Sequence, residues 1–371
     1  MQLLTSKAVR AAVVIAVLLL VVFGLLQLPT SSFDRLRSST AVPATFTPGD
    51  GRGPSSGTVD SVDWSRFAYV QYVTDTAYLC NSVMLFEILH RLGSKADRLM
   101  MYPSEFRVDD PSSTDGRLLR KARDEYGVKL VPIQVQRRAS NDPTWAESYT
   151  KLLVFNQTQY DRVLSLDSDS TVLQTMDELF LLPPCPVAMP RAYWLNPDDR
   201  ILSSQVLLIQ PSEFEFKRVM DGMEHAGSSD YDMEIVNKLY RDSALVLPHR
   251  PYDLLTGEFR SKNHGSYMGN SEEPWDPEKI LKEAKFLHFS DWPIPKPWIH
   301  ADKSIIEEKQ PKCDKNPHTG EEDDCRARDL WLGFYADFAK RREVRASISP
   351  HHSPSLLLST SRLITSRTSA A

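Results

Sequence analysis

The stretch Arg162-Val-Leu-Ser-Leu-Asp167-Ser168-Asp169 decides how this chain is read. Its first five residues form a short, mostly apolar run, the pattern of a strand buried on both faces. Two carboxylates one residue apart close the run, so both can converge on one point at the strand's carboxyl end. Hard divalent cations such as Mg2+ and Mn2+ take oxygen ligands, and paired carboxylates supply them. A solvated turn after a strand often carries the same letters, so the surrounding sequence has to arbitrate.

Outward from that stretch, strand and helix patterns alternate. Residues 67–73, 98–102 and 129–135 read as strands upstream, and 205–209 and 284–289 downstream. Residues 78–92 carry apolar side chains at helical spacing (Leu79, Val83, Leu85, Phe86, Leu89), and 116–126 and 144–155 also read as helices. The alternation predicts βαβ units, hence an α/β fold with a mainly parallel sheet flanked by helices. Such sheets bind ligands at the carboxyl ends of strands near a switch in strand order, where Asp167 and Asp169 fall. No internal repeat interrupts the pattern.

The 371 residues carry a formal net charge of −5, with a quarter of them charged. This is a globular composition, long enough for one domain of roughly 250 residues plus appendages. Nucleic-acid binding needs a basic face to neutralise phosphates, and none is evident. Residues 11–28 (AAVVIAVLLLVVFGLLQL) are apolar except for Gln27. A helix of ~18–20 such residues spans a hydrocarbon core of ~30 Å. Lys7 and Arg10 precede the run, so the positive-inside bias leaves residues 1–10 in the cytosol, slightly weakened by Arg35 and Arg37. The competing reading is a cleaved signal peptide, whose apolar core runs ~7–15 residues to a small-x-small site. The longer run and its Leu28-Pro29-Thr30-Ser31-Ser32 end favour an uncleaved anchor. Either way the body lies in a lumenal or extracellular space. Residues 29–62, rich in Ser, Thr, Pro and Gly, read as a flexible stem, 63–343 as the globular domain and 344–371 as a disordered tail.

A second segment, His288-Phe-Ser-Asp-Trp-Pro-Ile-Pro-Lys296-Pro-Trp298, holds further chemistry. His288 follows an apolar strand and can add a nitrogen ligand to the same metal. Lys296 sits in a loop stiffened by Pro and Trp, where an ammonium can meet phosphate oxygens as a point charge. The alternative is a satisfied core histidine beside an exposed lysine. Asn156-Gln157-Thr158 is a glycosylation sequon. Cys313 and Cys325 flank an acidic segment and are expected to pair in a lumenal setting, in preference to a zinc site with His318. Cys80 and Cys185 adjoin apolar sequence and read as buried thiols. Residues 330–338 (LWLGFYADF) read as a packing helix that closes the domain.

These segments, in this order, resemble a known family. Residues 72–89 (YVTDTAYLCNSVMLFEIL), 148–173 (SYTKLLVFNQTQYDRVLSLDSDSTVL), 207–212 (LLIQPS), 247–260 (LPHRPYDLLTGEFR) and 288–298 (HFSDWPIPKPW) carry the likeness. It is to the family 8 glycosyltransferases, of the glycogenin and galactinol synthase kind. Within these it is similar above all to the fungal Golgi α-1,2-N-acetylglucosaminyltransferases, over about residues 64–340. The resemblance implies a GT-A type nucleotide-sugar-binding fold, a UDP-sugar donor, Mn2+ or Mg2+, and retention of the anomeric configuration. By position it implies Thr74, Asp75 and Tyr78 at the uridine, Lys151 and Ser204 at the donor, and Lys296 at the diphosphate. It implies Asp167, Asp169 and His288 as metal ligands, and Asp232 as the acidic residue that contacts the donor sugar or supports the reaction.

The chain departs from the family pattern at Leu202-Ser203-Ser204-Gln205, where Asn-Ser-Gly is common, and at Met233, where a Gln follows the acid. The implied function is transfer of N-acetylglucosamine from UDP-GlcNAc to mannose residues of a glycan. The enzyme would be a single-pass type II protein of the Golgi membrane with its domain in the lumen. Alternatives are the same fold using UDP-glucose or UDP-galactose, and a catalytically inactive nucleotide-sugar-binding protein. Stacking of an acceptor sugar on Trp331 or Tyr335 is a further alternative to their packing role. Oligomeric state stays open.

Overall fold

The computed structural model describes residues 62–137, 146–270, 272–316 and 319–346. The cytosolic segment, the anchor expected at 11–28, the stem up to residue 61, His318 and the tail beyond residue 346 lie outside the described residues. Among the described residues no helix is long and apolar enough to cross a membrane.

Phe67–Tyr72 forms β1 and shows why an apolar run here becomes a strand rather than a helix. Tyr69 joins the core on one face of the sheet, while Ala68 and Val70 join the core on the other. Both faces are covered, so alternation disappears from the sequence. Helix α1, Thr76–Arg91, follows at once because Asp75 caps it, accepting from the Tyr78 N–H at 2.8 Å. Strand β2 is Asp97–Pro103. Helix α2, Thr114–Tyr126, starts on Ser113 and ends at Gly127, whose φ of 64° suits a residue without a Cβ. Strand β3 is Val128–Ile133.

The helix expected over 144–155 is a 3-10 helix, Ser148–Asn156. Its side chains are buried almost all round, Tyr149, Leu152, Val154 and Phe155 in the core and Thr150 against Gln136, whose N–H donates to it at 3.0 Å. Tertiary packing, not amphipathic spacing, sets this backbone. Asn156 of the sequon ends the segment and is exposed.

The remaining strands are β4 (Arg162–Leu166), β5 (Ser170–Val172), β6 (Val187–Pro190), β7 (Val206–Ile209), β8 (Leu245–Leu247), β9 (Leu254–Leu255) and β10 (Phe286–His288). Helix α3, Glu213–Glu224, and helix α4, Asp232–Tyr240, lie between β7 and β8. The main sheet runs β3-β2-β1-β4-β7-β6-β8. Strands β3, β2, β1 and β4 are mutually parallel, as the alternation predicts. Strand β7 runs antiparallel to both neighbours, and β8 pairs parallel with β6. Strand β10, expected as one more strand, instead centres a separate small sheet ordered β5-β10-β9. That sheet sets His288 opposite Ser170, directly after the two carboxylates.

The chain closes with α5, Arg326–Ala346, which contains the packing helix expected over 330–338. Trp331 is fully buried, so it packs the core and cannot stack on a sugar; Tyr335 is half-buried against Trp331 and Phe289. Arg341 and Arg342 tie α5 to α1, through Glu87 at 3.1 Å and the Ala77 carbonyl at 2.9 Å. Cys313 is disulfide-bonded to Cys325, as expected. Cys80 is buried and Cys185 half-buried.

Candidate functional site

Parallel strands β1 and β4 point their carboxyl ends at one region, and the site is built there. After β4 the chain turns so that Asp167 and Asp169 face the same side, with Ser168 buried between them. The turn is held by Asp167 N–H on the Gln205 carbonyl at 3.1 Å and by the Phe289 N–H on the Asp169 carbonyl at 2.9 Å. His288 arrives from β10. Its Nε2 lies 3.0 Å from Asp169 Oδ1 and 3.9 Å from Asp167 Oδ2.

One ligand atom from each of Asp167, Asp169 and His288 lies within 4.8 Å of the others. Two half-buried carboxylates and a buried imidazole form a ligand set that suits a divalent cation. The other ring nitrogen of His288, Nδ1, is buried without a hydrogen-bond partner among the described residues. Nε2 is therefore the nitrogen aimed at the carboxylates.

Two lysines border this cluster. Lys296 Nζ sits 2.7 Å from Asp169 Oδ2 and donates to the Phe289 carbonyl at 2.6 Å. Lys151, projecting from the 3-10 helix, is 3 % exposed and lies 2.7 Å from both Asp167 Oδ1 and Asp232 Oδ2. Ser204 Oγ donates to the same Asp232 oxygen at 2.8 Å. The Lys151 ammonium also lies 5.9 Å from the Tyr72 ring centre. Asp232 opens α4, and Glu234 accepts from the Tyr231 N–H at 3.0 Å to fix that helix start.

The charges are tuned by burial and by one another. Burial works against the Lys151 ammonium, yet Asp167 and Asp232 outweigh it and hold its pKa well above the usual lysine range. Burial would also raise Asp169, but His288 and Lys296 overcome it and hold the carboxyl well below the usual range. Asp167 goes the other way: burial raises it, Lys151 opposes, and the neighbouring Asp169 charge adds to the rise. The pair is split so that one carboxylate stays firmly ionised while its neighbour accepts a proton more readily.

Of the residues expected at the site, Asp167, Asp169, His288, Lys296, Lys151, Asp232 and Ser204 form one connected set of contacts. Thr74, Asp75 and Tyr78 lie together at the end of β1 and the start of α1. Thr74 is buried, whereas Asp75 is exposed and already serves as the helix cap. The Tyr78 ring meets Trp298 edge to face at 5.4 Å, which joins this group to the Lys296 loop. Burial raises the Tyr78 phenol, and the Asp169 charge adds to the rise.

Sequence reading missed two members of this neighbourhood. Asp253 precedes β9, is fully buried, and lies beside Ser203. Burial pushes its carboxyl up to about 8, the Ser203 hydroxyl offsetting part of the rise and the Asp167 charge adding to it. Its signal is an acid adjoining a short apolar run, the same grammar as Asp167, here at the start of the strand and not at its end. Tyr72, the last residue of β1, is the other. Burial and then the Asp167 charge drive its phenol well above the ordinary range.

No family model matches the chain. Glucose N-acetyltransferase 1 of Gibberella zeae is 62 % identical over 288 residues, covering 76 % of this chain and 63 % of that protein. The chain thus spans under two thirds of that relative's length. Glucose N-acetyltransferase 1 of Aspergillus fumigatus is 50 % identical over 308 residues, covering 79 % of this chain and 80 % of that protein. Among solved structures, the galactosyltransferase LgtC in complex with donor and acceptor sugar analogues matches with a TM-score of 0.46 and 16 % identity. That match covers 64 % of this chain and 91 % of LgtC. Half of the aligned residues are shared across four fifths of the Aspergillus protein, and the chain belongs to the glucose N-acetyltransferase family of glycosyltransferases.

Proposed function

We propose that this chain transfers N-acetylglucosamine from UDP-GlcNAc to a mannose residue of a glycan, with retention at the anomeric carbon and with the help of a divalent cation. The apolar run at 11–28 would hold it as a type II protein of the Golgi membrane, the domain in the lumen. The observation that carries the reading is the contact chain from His288 and Lys296 through Asp169 and Asp167 to Lys151, Asp232 and Ser204.

Asp167, Asp169 and His288 would hold the cation, which supplies Lewis-acid charge neutralisation for a departing nucleotide diphosphate. The chain's own residues supply the rest. Lys296, on a loop fixed at both ends, can turn from Asp169 to the diphosphate oxygens and offset the charge that grows there. Thr74 and Tyr78 border the place for uridine. One oxygen of Asp232 is held by Lys151 and Ser204, so its carboxylate is fixed in position. Its other oxygen can accept from a hydroxyl of the donor sugar, and its charge favours the cationic sugar of the transition state.

The test is product analysis with the full chain, UDP-GlcNAc, Mn2+ and α-mannobiose. Equal amounts of UDP and a GlcNAc-bearing trisaccharide are expected, with UDP-glucose and UDP-galactose far slower. A chain that binds UDP-GlcNAc tightly and glycosylates no mannoside contradicts the proposal.

A further inference from the structure

The loop from His288 to Trp298 turns nearly every large side chain inward. Asp291 is buried, ion-paired with Arg260, and accepts from the fully buried Trp331 indole N–H at 2.6 Å. Ile294 is buried in the core beneath the small sheet. Lys296 returns to Asp169 and the Phe289 carbonyl. Trp298 packs on Tyr78 and lies 6.0 Å from Phe338. From below, Gly257 approaches so closely that an added Cβ would meet the Ser290 carbonyl oxygen at 2.9 Å. Against this, Trp292 is 91 % exposed, the most exposed large hydrophobic side chain among the described residues.

An indole offers a large apolar area, and leaving it in water forgoes roughly 25 cal/mol per Å2 of burial. Here the exposed ring has its backbone pinned by Asp291 on one side and by Ile294 and Lys296 on the other. A ligand that covers it loses little chain entropy. Its place in the sequence is four residues after His288 and four before Lys296. It is thus carried on the short loop that joins His288 to Lys296, both of which contact Asp169. A pyranose presents one face of polarised C–H groups, which suits the negative face of an aromatic ring, while its hydroxyls stay in water.

We infer that Trp292 is a specificity-determining residue of the acceptor subsite, the platform on which a pyranose ring of the acceptor glycan stacks. This rests on the proposed glycosyl transfer and adds where the acceptor sits. The position is set by the loop that also carries Lys296, so acceptor and diphosphate are registered against each other through one short, anchored segment.

The experiment measures α-mannobiose binding to the full chain with Mn2+ and UDP present, by saturation-transfer NMR, and its KM in transfer from UDP-GlcNAc. Variants Trp292→Ala and Trp292→Tyr are compared with Phe214→Ala, which removes an exposed aromatic on α3 (69 % exposed). The expected result is a tenfold or larger loss of mannobiose affinity and rise in its KM for Trp292→Ala. Trp292→Tyr should recover much of this, and Phe214→Ala should match wild type. Melting temperature and Mn2+-dependent UDP affinity of Trp292→Ala should stay at wild-type values, which separates stacking from misfolding. A Trp292→Ala chain with mannobiose affinity within twofold of wild type overturns the inference while transfer itself stands. A chain that turns over UDP-GlcNAc with no mannoside bound overturns both this inference and the acceptor assignment. Loss of vesicle binding by Trp292→Ala with mannobiose affinity intact makes the loop a membrane contact, and overturns it too.

Discussion

Lys296 holds a carboxylate oxygen that a metal ligand set also needs. Its ammonium lies 2.7 Å from Asp169 Oδ2, within the same cluster as His288 and Asp167. A divalent cation entering that cluster would meet a like charge at close range, and the repulsion would be relieved if Lys296 turned to a diphosphate, as proposed. Replacing Lys296 by Met should therefore tighten Mn2+ binding without nucleotide, by roughly tenfold, or ~1.4 kcal/mol. It should weaken UDP binding in the presence of Mn2+. Titration of free Mn2+ by electron paramagnetic resonance reads both effects, and unchanged or weaker Mn2+ binding to the variant sinks the argument. Asp253 makes the stability of the fold depend on pH. Burial raises its carboxyl to about 8, against an unfolded value of about 3.9. The native state then holds a proton that the unfolded chain has released, so stability falls as pH rises from about 4 through about 8. The slope is at most about 1.4 kcal/mol per pH unit. Asp253→Asn should flatten the fall in melting temperature between pH 5 and 8 relative to wild type. Parallel curves for the two chains would remove Asp253 as the cause.

At the scale of elements, the site is a product of where helices and strands begin and end. Asp75 ends the β1 turn as the cap of α1, so Asp75→Ala should cost about 1 kcal/mol, while Asp75→Asn keeps the cap and costs a few tenths. If chemical denaturation shows both variants equally destabilised, the role of Asp75 is its charge and not its cap. The parts of the fold legible in the sequence are those written in local signals. The strand ahead of Asp167, the helix after Asp75, and α2 between Ser113 and Gly127 each carry their own start or stop residue. The 3-10 helix Ser148–Asn156 was not legible, because its shape follows from burial on every side. The reversal of β7 against β4 and the placement of β10 in its own sheet depend on pairings between residues far apart in sequence. Spacing within a strand says nothing about them.

At the scale of the whole molecule, seven site residues from five separate stretches of chain form one connected set of contacts. The ordered series of motifs made that set readable through its resemblance to a known family, and the two carboxylates were readable by themselves at the carboxyl end of a strand. Their mutual pairing was not readable. That Lys151 bridges Asp167 and Asp232, and that Asp253 lies buried beside Ser203, follows only from the folded arrangement. Lys151 is also a buried cation shared by two carboxylates, Asp167 and Asp232. Lys151→Met leaves two nearly buried carboxylates without their cation and should cost about 3–5 kcal/mol, read as a fall in the denaturation midpoint. A midpoint within error of wild type would show that the bridge contributes no net stability.

Asp167, Asp169 and His288 are proposed to hold a divalent cation for turnover of a UDP-sugar. The most direct test is UDP release from UDP-GlcNAc by the full chain, with Mn2+, with chelator, and in an Asp169→Asn variant whose melting temperature is checked. Rapid release is expected with Mn2+, abolished by chelator and restored by added Mn2+, with at least a hundredfold loss in Asp169→Asn. UDP release that persists in chelator, or that survives in the variant at near wild-type rate, contradicts the proposed role.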